Sequence, residues 1–108
     1  MAETKKIIVP PQSLESEKAV LGCMLTDASA IYTVQKILTQ KSFYDKNNQI
    51  IFLNIIELDK DGGNVDQITI IEQLKKNKKL EDIGGAYYIT GLLNESPSIE
   101  NVSYYAKI

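Results

Sequence analysis

The side chains able to make or break bonds are few in this chain, and they are scattered. There is no histidine, so the usual general base near neutral pH is missing. Cys23 is the single cysteine; it sits in the apolar run Ala19-Val20-Leu21-Gly22-Cys23-Met24-Leu25 and reads as a small buried hydrophobe rather than a reactive thiol. Asp59 and Asp61 could open a cation loop, but an EF-hand needs a Glu at its twelfth position and Ile70 stands there. Gly84-Gly85 ahead of a helix could cradle a phosphate, yet no Gly-Lys-Ser/Thr follows and no strand pattern precedes it. The carboxylate pairs Glu15/Glu17, Asp59/Asp61 and Glu81/Asp82 fall at helix starts, helix ends or turns, where such groups cap and solubilise. Catalysis by this chain alone is therefore not expected, and neither is a metal or cofactor site.

A binding role is the remaining class. Lys75, Lys76, Lys78 and Lys79 crowd five positions and could touch nucleic acid. Against that, all 12 cations are Lys and none is Arg, and the net charge is −2. The forked donor most used on phosphates and base edges is absent, so an accessory nucleic-acid domain is the weaker alternative. Glu72, Glu81 and Asp82 flank the lysines, which read better as a solvated helix end complementing the helix dipole. A salt titration of single-stranded DNA binding separates the two readings, since phosphate contacts give a steep salt slope.

The elements that must carry any such surface are helical. The most apolar stretch, Asp45 to Leu58, has only Asn54 and Glu57 as polar residues from Ile50 on. On a helix, Ile51, Ile55 and Leu58 form a stripe that Phe52 and Ile56 widen, with Asp45 as cap and Gly62-Gly63 as stop. A buried strand is the rival, because the segment is rich in β-branched residues, but its length favours helix. This segment is expected to be the buried helix that its neighbours surround. Ser13 caps a first helix from Leu14 to about Leu25, with Glu15 and Glu17 in its first turn. Asp27 caps a second, Ala28 to about Leu38, and Phe43 or Tyr44 staples the central one. Asp66-x-x-Thr69 opens a fourth, with Ile68, Ile71 and Leu74 inward. A fifth covers Ala86 to Leu93, and Ser98 caps a sixth that is still running at Ile108.

The sum is an all-α fold, a compact bundle of about six short helices around a central apolar helix. Residues 1–12 read as an extended arm ended by Pro10-Pro11, 13–98 as the helical body and 99–108 as the start of a last helix. A chain that stops in mid-helix reads as part of a longer protein. A lone cysteine and the lack of a signal-peptide core or membrane-length apolar stretch point to the cytoplasm.

Several segments, taken in order, resemble the N-terminal domain of the bacterial replicative DNA helicase, the DnaB family. They are Pro10-Pro11-x-Ser13-Leu14-Glu15-x-Glu17 with Val20-Leu21-Gly22, then Phe43-Tyr44, then Asp66-x-x-Thr69 with Leu74. Gly84-Gly85-Ala86-Tyr87-Tyr88 and Asn101-Val102-x-x-Tyr105-Ala106-x-Ile108 complete the set. The central segment departs by being Ile-rich and lacking the His or Arg often found before it, and Glu100 stands where a small residue is common. The resemblance implies an interaction and oligomerisation domain. In the family such domains pair and build a collar, a trimer of dimers on the hexamer, that helps dock primase and leaves a passage for DNA. ATP and Mg²⁺ would be used by a RecA-like C-terminal domain; no Walker A loop occurs in this chain. A helicase loader is a further partner of the family, and DNA is met only through the full hexamer. Carried over by motif, Glu15 and Tyr88 are the expected primase contacts, while Val102, Tyr104 and Tyr105 are expected in self-association. A primase helicase-binding domain has a similar helical architecture, but the Pro10-Pro11 opening argues against it.

Overall fold

The computed structural model describes residues 11–94, and side chains from Leu14 onward. Among the described residues it is all-helical: α1 (Pro11–Thr26), α2 (Ala28–Gln35), a 3₁₀ turn (Gln40–Ser42), α3 (Lys46–Lys60), α4 (Gln67–Lys76) and α5 (Gly85–Asn94). The expected sixth helix lies outside the described residues.

Three short-range caps fix where helices begin. Asp27 accepts from the N–H of Ser29 at 2.9 Å and from its hydroxyl at 2.7 Å, and this pair of bonds, the hydroxyl's first, holds its carboxyl below the usual carboxylate range. Asp45 accepts from the N–H groups of Asn47 (2.7 Å) and Asn48 (3.2 Å). Asp66 and Thr69 exchange bonds at 2.9 Å in both directions, a capping box at the head of α4. The first helix departs from expectation. It begins at Pro11, two residues ahead of the expected Ser13 cap, so Pro11 and Gln12 belong to α1 and not to the arm. Proline suits a first turn, whose N–H groups have no intrahelical acceptor. Helix α2 ends at Gln35, though its chain keeps turning through the N–H groups of Ile37 and Leu38, both bonded to the Val34 carbonyl.

The Ile-rich segment is a helix, as its length requires, but it is not the hub. Leu53 on α3 is 40 % exposed and Ile50 and Ile56 are half-buried, so α3 has a solvent face. The hub is α1. Its residues 19–25 are buried without a break, and the helix packs against α2, α3 and α5. Enclosure depends on how many neighbours surround a helix, which the helix's own composition does not fix. The core runs from Val20, Leu21 and Met24 through Ile31, Val34, Ile51 and Ile55 to Ile70, Leu74, Ile89 and Leu92. Phe43 closes it over Phe52, ring centroids 4.9 Å apart, while Tyr44 stays exposed, so Phe43 is the staple. On α4 the buried pair is Ile70 and Leu74, with Ile71 half-buried; Ile68, expected inward, is 72 % exposed. The i, i+4 spacing of Ile70 and Leu74 defines the stripe, and Ile68 lies off it.

Two helix ends share one geometry with different residues. After α3, Gly62 (φ 80°) and Gly63 send their N–H groups back to the carbonyls of Asp59 and Leu58. After α4, Lys78 and Lys79 do the same to Lys75 and Leu74, with Lys78 at φ 60°. Both are Schellman turns, and the second holds a side-chain residue in the left-handed region. Lys78→Gly should raise the unfolding free energy by about 0.5–1 kcal/mol, read as a higher urea midpoint at unchanged slope. An unchanged or lower midpoint would show that Lys78 is not strained.

Candidate functional site

Glu17 and Asn48 were not among the expected contact residues, yet they tie the bundle together. Glu17, half-buried on α1, accepts from the N–H of Tyr44 at 2.7 Å and from that of Asp45 at 3.4 Å. It therefore serves the N-terminus of α3 and not that of its own helix, where no carboxylate lies in the first turn. Its Oε1 also accepts from Nδ2 of Asn48 at 2.8 Å. Asn48 is 1 % exposed, and its Oδ1 accepts from the Tyr88 hydroxyl at 2.6 Å. Because a carboxylate only accepts, it turns the amide nitrogen of Asn48 toward α1 and the oxygen toward α5. One line of hydrogen bonds thus joins α1, α3 and α5.

Tyr88 is where that line reaches the surface. Its half-buried ring borders a cleft of about 280 Å³ between α1 and α5, lined also by Lys18, Tyr87, Thr90, Gly91, Leu92 and Asn94. Lys18 sets its ammonium 5.8 Å from the Tyr88 ring centroid. Among these described lining residues Lys18 carries the charge, and Tyr87 stands 89 % exposed. Glu15, exposed on α1, lies one turn ahead of Lys18 on the same helix. The cleft offers an ammonium, two phenols, an amide and a wall at Gly91, where an added Cβ would meet nothing within 4 Å among the described residues. Such a set recognises a surface by hydrogen bonds, ring faces and charge.

The other sequence candidates separate from this cleft. Lys75, Lys76, Lys78 and Lys79 are exposed at the far end of α4, and a hollow there is lined by Lys75 and Lys78 together with Glu81 and Asp82, the expected neutralising carboxylates. Cys23 is buried, and burial followed by the Asp27 carboxylate pushes its thiol up, away from thiolate chemistry. Gly84 (φ 104°) and Gly85 (φ 77°) form a turn closed by the bond from the Gly85 N–H to the Leu80 carbonyl, which accounts for both glycines structurally. Val102, Tyr104 and Tyr105 lie outside the described residues.

The fold is that of a helicase N-terminal domain. It matches the crystal structure of the N-terminal domain of DnaB helicase from Mycobacterium tuberculosis with a TM-score of 0.86 and 35% sequence identity, over 92% of this chain and 72% of that one. The chain belongs to the DnaB-like helicase N terminal domain family, whose profile matches residues 9–108. It is 41% identical over 100 residues to the replicative DNA helicase DnaB of Rhodothermus marinus and 37% identical over 108 residues to that of Geobacillus stearothermophilus. These alignments take in 93% and 100% of this chain but only 11% and 24% of the relatives, so it spans a small part of their length.

Proposed function

We propose that this chain is the N-terminal interaction module of a replicative DNA helicase and that it works by contact, with ATP and Mg²⁺ handled by a separate ATPase domain of the parent. The module docks primase on the cleft between α1 and α5, with Glu15 and Tyr88 in contact. It pairs with a second copy through Val102, Tyr104 and Tyr105, toward a collar built as a trimer of dimers. A helicase loader is a further protein partner of the same kind. DNA is met only through the assembled hexamer, in the cytoplasm. The observation that carries the docking reading is the cleft itself, a hollow bounded by a cation and two tyrosines, one of them tied into the bundle. The nucleic-acid alternative is disfavoured by Glu81 and Asp82, which line the same hollow as Lys75 and Lys78.

Gly91 gives a clean test. A Leu there meets no described residue at its Cβ and favours the helix, so the fold should hold or gain up to about 1 kcal/mol. Its side chain would fill the cleft. Gly91→Leu is expected to weaken binding of the cognate primase by at least ~10-fold in a calorimetric titration, a loss of about 1.4 kcal/mol. Unaltered affinity would remove the cleft from the docking surface.

A further inference from the structure

Among the described residues, three contacts fix Tyr88. Its hydroxyl donates to Asn48 at 2.6 Å. The Lys18 ammonium stands over its ring. Its Cβ packs so closely on Gly84 that a Cβ added there would lie 3.2 Å away. A surface tyrosine whose role is to cover apolar neighbours needs no such definition. A contact residue gains from it, because rotamer entropy already spent in folding is not lost again on binding. Of the three, the hydroxyl bond is the directed one. The amide that accepts it is itself oriented by the Glu17 carboxylate, whose other oxygen is occupied by the N–H of Tyr44.

We infer that Glu17 and Asn48 are positioning residues for the docking cleft: they hold Tyr88 pre-organised for the partner without touching it. The inference rests on the docking reading above. Asn48→Ala removes the amide that accepts from the Tyr88 hydroxyl while leaving the ring, and Tyr88→Phe removes the hydroxyl while leaving Asn48. Either change should lower primase affinity about 3- to 10-fold, mostly through faster dissociation, as expected when one side chain must be ordered on binding.

The test is a double-mutant cycle on primase affinity, run at a temperature where circular dichroism shows every variant folded, with Gly91→Leu alongside. The expected result is that Asn48→Ala weakens binding in the parent sequence and has no further effect in a Tyr88→Phe or Tyr88→Ala background. An equal loss in all backgrounds would mean that Asn48 acts only on general stability, and no loss in any would mean that Tyr88 needs no positioning; both overturn the inference. If Gly91→Leu also leaves affinity unchanged, or the unsubstituted chain does not bind, the docking reading fails and this inference falls with it. If Gly91→Leu weakens binding but the cycle shows no coupling, the inference alone fails.

Discussion

Asn48→Ala is expected to destabilise the folded chain by about 3 kcal/mol, which in a domain of this size lowers the melting temperature by about 15 °C. Asn48 is 1 % exposed and sits between a carboxylate and a phenol. Truncation takes the amide away from the Tyr88 hydroxyl and from one Glu17 oxygen, at a position that is itself 1 % exposed. Losing one partner of a buried polar pair costs more than the net worth of the bond, about 1–3 kcal/mol per group and more when the group is charged. Glu17 keeps the N–H of Tyr44, which limits the loss on its side. Asn48→Asp, nearly identical in shape, should be at least as damaging because it turns a second acceptor toward Glu17. Differential scanning calorimetry decides the matter. A melting temperature within about 3 °C of the parent would mean that the line of bonds is incidental.

Leu21→Ala should cost about 3–4 kcal/mol, within the range for removing a fully buried Leu. Leu21 is 0 % exposed on α1, the helix that α2, α3 and α5 surround. Close packing on several sides keeps the walls from collapsing into the space, so the cavity term adds to the lost transfer energy. The contrast is Leu53→Ala on α3, where partial exposure should hold the cost to about 1 kcal/mol. Marginal stabilities of about 5–15 kcal/mol make the first loss a large share of the total. Urea denaturation of both variants checks the assignment of α1 as hub. Equal losses would return that role to α3.

What could be read from the sequence follows the range of the interactions concerned. Asp27, Asp45 and Asp66 were legible as caps because their acceptors bond to N–H groups within three residues. The motifs from Pro10 to Ile108, taken in sequence, carried the family, while the spacing of apolar residues and the caps had already pointed to the all-helical class. Glu17 misled because its partners are 27, 28 and 31 residues away, just before and within the first turn of a different helix. The Asn48–Tyr88 bond spans 40 residues, and an Asn following Asp45 looks like part of a cap. The one available signal was a polar residue on the inward side of an apolar helix, shared by Asn48 and by Asn54, which accepts from Asn77 at 2.7 Å. Ile68 and Leu53 show the converse limit. Periodicity tells how wide an apolar face is, but only the neighbours decide which edge of it is covered.

The central claim is that this module contributes contacts and no bond chemistry to a larger motor. The most direct test is to delete residues 9–94 from the helicase polypeptide in which we place the chain. Binding of the cognate primase and ATP hydrolysis are then followed in the same preparation. The account predicts that primase no longer co-sediments while hydrolysis persists. It is contradicted if primase still co-sediments, or if hydrolysis vanishes and returns when the separately purified 108-residue chain is added back.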